Sequence, residues 1–418
     1  MRTDLCRVVA ATALCARPAS LRWVGVPILT QRDWTVLVRG NAMPRILVAH
    51  PSADVYGSDL QMVESLNALS DAGWDVTLCL PGTGPLVDLV KYAQVRIEPF
   101  PVLRKALLRP WPLLLALLRT PRDVVRLTRR IHSARPDVVF VNTVTLPWWA
   151  MAARLAHVPL LVHVHEAEEL SAPLVRRLLY TPLKIATTVI ANSDTTRRVL
   201  TDSVPALAPR IVTVPNGLPD PGYEPLDRAR PGRLVLVSRL SPRKGVEVAI
   251  DAVAQLRRAG RDVELHIAGD VYPGYEWFAR QLRTQARAPE LGDAVRFLGY
   301  VSPTAPLLAS ANVVLAPSLG ESFGNAAAEA MLARRPLVAS NVQGLAEMID
   351  DGRTGVLVPV GDAGAIAQAV ARFLDEPAWA AQVAGAARDE AEKRFSVVQY
   401  RAEIAAAVSA ASAAVPGE

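Results

Sequence analysis

The sequence predicts an α/β protein with two doubly wound domains that face each other across a cleft. Short apolar strands alternate with amphipathic helices in two series, one starting near Arg45 and the other near Leu234. Apolar strands that are each followed by a helix are typical of parallel sheets buried on both faces. Between the two series, residues 215–232 contain five prolines and three glycines without an apolar period. Such a stretch indicates a crossing between domains.

Length and composition agree with this architecture and disfavour several other classes of protein. The chain has 418 residues, of which 51% are hydrophobic and 21% charged, so it can form large cores. Three cysteines are too few for a disulfide scaffold, and the six histidines show no His-x3-His pair that would favour a metal site. A net charge of +6 suits anionic ligands without requiring nucleic acid.

Residues 1–42 stand apart from the rest of the sequence. An apolar run from Val8 to Ala16 follows two arginines, but no clean cleavage site comes after it, so its likeness to a secretory signal is weak. Met43 directly precedes the first strand. We therefore expect folding to begin at Met43, with residues 1–42 a loose extension or a misassigned start.

The first domain is expected over residues 43–220. Its strands are expected at Ile46–Ala49, Asp75–Leu80, Val95–Glu98, Val138–Val141, Leu160–Val164, Thr188–Ala191 and Ile211–Val214. Its amphipathic stretches are Leu60–Ala72, Ala150–Ala156 and Asp194–Thr201. Each crossover between parallel strands should be right-handed.

The second domain is expected over residues 221–395 and repeats the pattern. Its strands are expected at Leu234–Val237, Glu264–Ala268, Val295–Leu298, Val313–Ala316, Leu337–Ala339 and Gly355–Val358. Its helices fit Val246–Arg258, Tyr275–Ala286, Ala305–Ala309, Asn325–Ala333, Ala363–Leu374 and an Ala-rich stretch after Pro377. Residues 396–418 are expected to form a helical tail that returns to the first domain. Ligands of such sheets bind at the carboxyl ends of the strands.

A cationic loop follows the first strand of the second domain. It reads Ser-Arg-Leu-Ser-Pro-Arg-Lys-Gly over residues 238–245 and leads into a helix. Arg239 and Lys244, together with the N–H groups of a helix start, form a suitable receptor for a diphosphate. The alternative is a solvated basic loop.

An acidic loop follows the strand expected at Val313–Ala316. Glu321 lies on this loop and Glu329 lies in the helix that follows it. Ser322, Gly324 and Asn325 leave backbone N–H groups accessible to a phosphate, whereas the carboxylates suit sugar hydroxyls. For Glu329 by itself, a solvated helix position is the alternative.

Together, the two loops resemble the signature of glycosyltransferase family 4. The linked pattern is Ser-Arg-Leu-x-x-x-Lys-Gly and, further along the chain, Glu-Ser-Phe-Gly-Asn-x-x-x-Glu-Ala-Met. Flanking segments that also match are Ala191–Ser193, Val214–Gly217, Ala268–Asp270, Phe297–Val301 and several positions from Pro336 to Gly355. The resemblance covers roughly Arg45 to the C-terminus, and it is strong in the second domain and looser in the first.

The resemblance implies a GT-B fold, in which two facing Rossmann-like domains bind a nucleotide-sugar donor. It implies that Arg239 and Lys244 neutralise the donor diphosphate, that Glu321 contacts the transferred sugar and that Glu329 holds the ribose hydroxyls. The other implied donor-binding positions are Ser238, Gly269, Val301, Ser322, Phe323, Gly324 and Asn325. The family transfers sugars with retention and without a metal ion, so no cofactor is expected beyond a UDP- or GDP-sugar substrate.

The first domain is expected to supply the acceptor side. Gly57 matches a family glycine on the loop after the first strand, and Tyr56 and Asp59 flank it. The family usually has a histidine near the end of the strand at Leu160–Val164, facing the transferred sugar. His163 and His165 alternate onto the same side of that strand, and we favour His165 as the functional one. We expect the neighbouring Glu166 to anchor or polarise His165.

Residues 103–130 form a strongly basic segment. They contain eight basic residues and one acidic residue around an apolar stretch with Trp111. The basic residues are Arg104, Lys105, Arg109, Arg119, Arg122, Arg126, Arg129 and Arg130. This pattern favours an anionic membrane surface, with a solvated helix pair over a core as the alternative. A nucleic-acid partner is not expected, since no recognition motif or stacking platform accompanies the charge.

The favoured function is therefore retaining transfer of a hexose-type sugar from a nucleotide diphosphate sugar to a hydroxyl acceptor. Such an enzyme would act in cell-envelope glycan or glycolipid synthesis, with a lipid-linked acceptor, in the cytoplasm or at the inner face of the membrane. The alternatives are a nucleotide-sugar epimerase of similar fold and a non-catalytic sugar-nucleotide-binding relative. A nicotinamide oxidoreductase is disfavoured because Pro51-Ser52-Ala53-Asp54 replaces the glycine-rich turn after the first strand.

Overall fold

The structure, a computed structural model, describes residues 43–103, 110–169, 171–221, 229–272 and 274–414, with the backbone alone over 110–117. The expectations for residues 1–42 lie outside the described residues. So do Arg104, Lys105 and Arg109 of the basic segment, and residues 222–228 of the crossing between domains.

The first domain contains a seven-stranded, all-parallel sheet in the order β3-β2-β1-β4-β5-β6-β7. Its strands are β1 (Arg45–Ala49), β2 (Asp75–Leu80), β3 (Gln94–Ile97), β4 (Val138–Val141), β5 (Leu160–Val164), β6 (Thr188–Ala191) and β7 (Ile211–Thr213). Its helices are α1 (Gly57–Asp71), α2 (Leu86–Leu89), α3 (Pro110–Ala134), α4 (Pro147–Leu155), α5 (Pro173–Tyr180) and α6 (Asp194–Ser203).

Both faces of this sheet are covered because its strands are apolar at successive positions. Leu47 and Val139 belong to one core, which includes residues of α3, α4 and α6. Their neighbours Ile46 and Val138 belong to the opposite core, which includes residues of α1. Since side chains alternate along a strand, continuous apolar runs are what a doubly covered sheet requires.

The second domain contains a six-stranded, all-parallel sheet in the order β10-β9-β8-β11-β12-β13. Its strands are β8 (Arg233–Val237), β9 (Glu264–Ala268), β10 (Val295–Gly299), β11 (Val313–Ala316), β12 (Leu337–Ser340) and β13 (Val356–Val358). The helices are α7 (Val246–Arg258), α8 (Glu276–Gln285), α9 (Ala305–Ala309), α10 (Asn325–Leu332), α11 (Gln343–Met348), α12 (Ala363–Asp375) and α13 (Pro377–Arg394). Both sheets follow the strand order of dinucleotide-binding folds. The prediction of two doubly wound domains, with the GT-B fold that the resemblance implies, is confirmed.

The last described helix, α14 (Val397–Ala413), packs against α1 of the first domain. The Tyr400 hydroxyl lies 2.6 Å from Oγ of Ser65 in the buried part of this contact. At its edge Arg401 donates to a carboxylate oxygen of Glu64 at 2.6 Å. The last described helix therefore joins the two domains a second time.

Within the described residues, no helix is both long and apolar enough to cross a membrane.

Candidate active site

Four neighbouring strand ends of the second sheet carry the predicted donor-binding positions. Arg239 follows β8, Gly269 follows β9, Val301 follows β10 and Glu321 follows β11. These strands are adjacent in the order β10-β9-β8-β11. Because parallel strands present their carboxyl ends at one edge, the four loops lie side by side.

The cationic and acidic loops contact each other directly. The backbone N–H of Leu319 donates to the carbonyl oxygen of Arg243 at 2.8 Å. In return, Nε of Arg243 donates to the carbonyl oxygen of Gly320 at 2.8 Å. The turn after Lys244 passes so close to the acidic loop that a Cβ on Gly245, at φ +63°, would lie 2.0 Å from the Pro317 carbonyl oxygen. Only glycine fits that position.

Lys244 and Glu321 form an ion pair between the two loops. Burial acts to raise the pKa of Glu321, but Lys244, Arg243 and Arg239 outweigh it and lower the pKa below its ordinary value. Glu321 is therefore ionised at neutral pH. The pair brings a cation suited to a diphosphate next to a carboxylate suited to a sugar hydroxyl.

Arg239 lies between two tyrosine rings from different domains. Its guanidinium carbon is 5.0 Å from the ring centroid of Tyr56 and 4.8 Å from that of Tyr272. Both distances are within the range of cation–π attraction. Burial is the main cause of the raised pKa of Tyr56, and Arg239 opposes it. Tyr56, predicted on the acceptor side, thus contacts the donor domain.

The acidic loop also contacts the first domain. Nδ2 of Asn216 donates to Oδ1 of Asn325 at 2.8 Å. A Cβ on Gly57, at the start of α1, would lie 2.8 Å from Nδ2 of Asn325. Nearby, Oγ of Ser193 donates to the Ser322 carbonyl oxygen at 2.6 Å, and Oγ of Ser322 donates to that of His165 at 2.6 Å. The two predicted halves of the site therefore meet at this loop.

Not every predicted donor residue presents its side chain to this meeting point. The ring of Phe323 is buried and packs edge-on against Phe395, with centroids 5.3 Å apart. A ring packed in this way is not available to a ligand at the meeting point. Gly324 has φ +110°, a left-handed conformation that turns the chain into α10. Oγ of Ser238 donates to the carbonyl oxygen of Arg239 at 3.2 Å.

Glu329 lies apart from the cations. Its Oε2 accepts a hydrogen bond from Oγ1 of Thr304 at 2.8 Å. Burial raises the pKa of Glu329, and the hydrogen bond from Thr304 only partly opposes it. An ionised carboxylate here lacks a compensating charge. Such a carboxylate is suited to accept hydrogen bonds from the hydroxyl groups of a ligand.

Replacing Glu329 by glutamine is expected to raise the melting temperature at pH 8 but not near pH 4.5. An acid whose folded-state pKa is raised binds its proton more tightly when folded. Its contribution to stability is therefore complete below the ordinary pKa of 4.5 and is lost as the pH rises through the raised value. Glutamine stays neutral throughout. Thermal unfolding of Glu329→Gln at both pH values, with the exposed Asp389→Asn as control, checks this. An equal gain at both would contradict a charge effect.

Three residues that follow adjacent strands of the first sheet form one chain of hydrogen bonds. Nε2 of His165, after β5, lies 2.9 Å from Oδ1 of Asn142, after β4. Nδ2 of Asn142 lies 3.0 Å from Nδ1 of His50, after β1. Nε2 of His50 in turn lies 2.7 Å from Oδ1 of Asp59 in α1. His165 is therefore tied to a buried carboxylate through two side chains, those of Asn142 and His50, that were not predicted from the sequence.

The prediction that Asp59 contributes to the acceptor side needs correction. The residue is 2% exposed, and its carboxylate also accepts from Oγ of Ser52 at 2.6 Å and from the N–H of Tyr56 at 2.9 Å. Burial acts to raise the pKa of Asp59, but these bonds and the one from His50 lower it overall. A carboxylate so fully engaged within the protein is not available to an acceptor.

Of two further residues predicted on the acceptor side, His163 differs from its predicted role, whereas Glu166 anchors His165, one of the two roles expected for it. His163 is fully buried among aromatic rings, with its ring centroid 4.0 Å from that of His165, so it does not reach a substrate. The carboxylate of Glu166 accepts from Oγ1 of Thr143 at 2.6 Å and from the backbone N–H of His165 at 3.1 Å. Glu166 thus anchors the main chain of His165, while Asn142 contacts the imidazole.

Further residues lie at the domain contact, among them Glu347, which matches the family pattern but was given no role from the sequence. Both carboxylate oxygens of Glu347 accept from the first N–H groups of α6, those of Asp194 and Thr195, at 3.0 and 2.8 Å. A carboxylate is favourable at a helix N-terminus. Tyr272 was missed as well, although its place after β9, beside Gly269, marks it as a residue of the carboxyl edge.

Comparisons with known proteins agree with this geometry. The profile of the family described as "Glycosyl transferases group 1" matches residues 231–376, and that of "Glycosyltransferase Family 4" matches residues 57–220. A phosphatidyl-myo-inositol mannosyltransferase of Mycolicibacterium smegmatis is 31% identical over 79% of this chain and 84% of the relative. A glycogen synthase of Mycobacterium tuberculosis is 34% identical over 63% of this chain, and the match spans 66% of that relative, just under two thirds.

Among solved structures, Anabaena HepE in complex with UDP and glucose superposes with a TM-score of 0.76. It is 23% identical, and the match covers 88% of this chain and all of HepE. At this identity the likeness concerns the fold.

Proposed function

This chain belongs to glycosyltransferase family 4, and from that premise we propose that it transfers a hexose-type sugar from a nucleotide diphosphate sugar to a hydroxyl acceptor. The observation that carries the proposal is the convergence of Lys244, Arg239 and Glu321 at the edge of the second sheet that meets the first domain. A diphosphate needs the cations, and a sugar joined to it would lie within reach of the carboxylate.

In this mechanism the two cations stabilise the leaving group. Negative charge grows on the diphosphate as the anomeric bond stretches, so groups aimed at it bind the transition state more tightly than the ground state. Lys244, Arg239 and the N–H groups at the start of α10 would supply this stabilisation without a metal ion. Full activity in the presence of EDTA would support that part of the proposal. Loss of activity with EDTA, followed by its recovery when Mg²⁺ is added, would overturn it.

We further propose transfer with retention of anomeric configuration. The acceptor hydroxyl would attack from the face that the diphosphate leaves, and a phosphate oxygen of the donor would take its proton. Contacts between the domains, such as those of Ser193 and Glu347, would help to keep water out of the closed site. Donor hydrolysis without acceptor should consequently be slow.

The proposal is tested with a panel of UDP- and GDP-sugars. HepE has been crystallised with UDP-glucose, so UDP-glucose leads the panel. The correct donor is expected to raise the melting temperature, because it binds the folded state. The anomeric configuration of the product, read by NMR, then checks retention. A donor that is converted to its epimer without any acceptor would favour the epimerase, and no response to any donor would contradict both.

We also propose that the acceptor is lipid-linked and that α3 lies on an anionic membrane in cell-envelope synthesis. Val124, Leu127 and Ile131 of α3 face the core. Its opposite face exposes four arginines beside the apolar side chains of Leu118 and Val125, which are 69% and 47% exposed. The arginines are Arg119, Arg122, Arg126 and Arg129. Basic and apolar groups on one helix face suit an anionic interface.

Replacing Arg119, Arg122 and Arg129 together by glutamate is expected to lower binding to phosphatidylglycerol vesicles at least tenfold, since each cation near such a surface contributes about 1 kcal/mol. Vesicle flotation measures this, with phosphatidylcholine vesicles as the uncharged reference. The matched control carries glutamate at Arg280, Arg283 and Arg287 in the second domain. Equal losses in both triple variants would show that net charge, and not this face, governs binding.

A further inference from the structure

The hydrogen-bonded chain from Asp59 to His165 crosses three adjacent strand ends of the first sheet. His50, Asn142 and Asp59 are 0%, 1% and 2% exposed, so none of them reaches a substrate. His165 is partly exposed and lies at the domain contact, where its carbonyl oxygen accepts from Ser322 of the acidic loop. The chain thus links a buried carboxylate to one imidazole at the candidate active site.

The position of each proton follows from the carboxylate outward. Asp59 accepts hydrogen bonds and cannot donate while ionised, so Nε2 of His50 carries the proton between them. The NH2 group of Asn142 faces Nδ1 of His50, and because an NH2 group only donates, this nitrogen is the acceptor and carries no proton. The carbonyl oxygen of Asn142 therefore faces His165, and only a protonated Nε2 of His165 can bond to it.

Resting on the proposed function, we propose that Asp59, His50 and Asn142 are positioning residues that hold His165 as the Nε2–H tautomer. Nδ1 of His165 is then a hydrogen-bond acceptor for a sugar hydroxyl of the donor or the acceptor. No described residue forms a hydrogen bond to Nδ1 of His165, so this lone pair is available to a ligand.

Two features of the surroundings support this assignment. Burial, together with His50, lowers the pKa of His165 to about 3, with Asp59 opposing, so the imidazole is neutral. A neutral imidazole has two tautomers, and the partner of one nitrogen decides which is present. Glu166 holds the N–H of His165 and Ser322 holds its carbonyl oxygen, so the backbone is fixed from both sides.

The opposite arrangement makes a distinct prediction. If His50 carried two protons, it would donate to the carbonyl oxygen of a turned Asn142 amide. The NH2 group of Asn142 would then donate to Nε2 of His165, and the proton of His165 would lie on Nδ1. His165 would donate to the sugar instead of accepting from it.

Long-range ¹⁵N–¹H correlation spectra of the full chain labelled with ¹⁵N-histidine distinguish these arrangements without any substrate. The His165 signals are assigned by their absence in His165→Gln. A protonated Nε2 and an unprotonated Nδ1 are expected. A proton on Nδ1 of His165 in the wild-type protein would overturn the proposal, whatever the activity of the enzyme.

Asn142→Leu provides the second measurement, since leucine has a similar size and bonds to neither histidine. We expect loss of the single tautomer and a fall in kcat/KM on the order of tenfold, the effect of one hydrogen bond. A rise in the KM of the donor alone would place the hydroxyl on the transferred sugar. A rise in the KM of the acceptor alone would place the hydroxyl on the acceptor. Asn142→Asp keeps an oxygen facing Nε2 and is expected to keep the tautomer.

The control is Ser65→Ala, which removes another buried hydrogen bond of the first domain, to Tyr400. It should match the stability loss of Asn142→Leu while leaving the tautomer and kcat/KM unchanged. Should Asn142→Leu keep the Nε2–H tautomer, the positioning role is wrong. If no sugar transfer is found but the tautomer is as expected, the proposed function fails while the positioning assignment stands.

Discussion

Replacing Lys244 by methionine is expected to lower kcat by at least 10²-fold, the usual loss when one preorganised charge-stabilising group is removed from an active site. Lys244 lies at the end of the turn Pro242–Lys244 and forms an ion pair with Glu321. Under the proposed mechanism it shares with Arg239 the charge of the leaving diphosphate. Methionine keeps the unbranched apolar body of the side chain, which is one atom shorter, and removes the charge. Steady-state kinetics with saturating donor measures the effect.

A fall in stability must be separated from a fall in catalysis in this experiment. Removing Lys244 leaves the carboxylate of Glu321 without its nearest cation, which should destabilise the fold by about 3 kcal/mol. The double variant Lys244→Met, Glu321→Gln has neither charge and should regain most of that loss, since the two residues interact directly. Its activity should remain low. Lys393→Met, at an exposed position of α13, should change neither quantity.

One result would contradict the role of Lys244 in stabilising the leaving group. If the double variant and Lys244→Met both keep kcat within a few-fold of the wild type, the leaving group does not depend on Lys244. Arg239 and the N–H groups at the start of α10 would then carry the charge alone.

The sequence predicted the sheets well because strands buried on both faces leave a strong local signal. The strands at Asp75–Leu80, Val138–Val141, Leu160–Val164 and Thr188–Ala191 have the predicted bounds, and the other first-domain strands differ by a residue at one or both ends. The short helices α2, α5 and α11 were not predicted. Each has at most eight residues, too few for an apolar period to stand out.

The basic segment shows where periodicity was ambiguous. A helix pair over a core was the alternative to a membrane surface, and in the described part of the segment the structure has one helix, Pro110–Ala134, with Pro121 inside it. Proline in a helical pattern usually indicates an end or a kink. Here the apolar positions on both sides of Pro121 share one helix.

The candidate site was predictable where residues close together on a loop indicate the chemistry, and less so where single residues from several strands combine. Arg239, Lys244 and Glu321 come from two loops whose residues already suggest a diphosphate and a sugar. His50 and Asn142 gave a weaker signal, a polar residue directly after an apolar strand. That signal becomes informative only with the strand order, since β1, β4 and β5 are neighbours in the sheet but distant in sequence. Asp59, in contrast, is engaged by residues close to it in sequence, namely His50, Ser52 and Tyr56.

Replacing Gly269 by alanine is expected to be the most damaging single-methyl change in the second domain. Gly269 has φ +142°, and a Cβ built there would lie 1.8 Å from the Ser238 carbonyl oxygen and 2.6 Å from its carbonyl carbon. These atoms are backbone and cannot rotate away. The N–H of Gly269 also donates to the Gly299 carbonyl oxygen at 2.7 Å, so the residue is held from the other side by β10.

The strain and the clash together should lower the free energy of unfolding by about 3 kcal/mol or more. Urea denaturation measures this. Gly260→Ala is the matched control, because Gly260 has φ +78° but no atom within 4 Å of a built Cβ. The Gly260→Ala substitution should lower the free energy of unfolding only by the cost of placing alanine in a left-handed conformation, about 1 kcal/mol.

Gly269→Ala is also expected to lower activity, because the carbonyl group of Ser238 must move. Arg239 comes directly after Ser238, so pushing the Ser238 carbonyl away from β9 shifts the guanidinium that lies between Tyr56 and Tyr272. Under the proposed mechanism, Gly269→Ala should therefore lower kcat at least tenfold even at a temperature where the variant is fully folded, because small displacements of a charge-stabilising group are costly. Gly260→Ala should keep wild-type kcat. Equal stability and equal activity in the two variants would mean that the turn after β8 can yield to a methyl group, and Arg239 would then be free to move without consequence for the reaction.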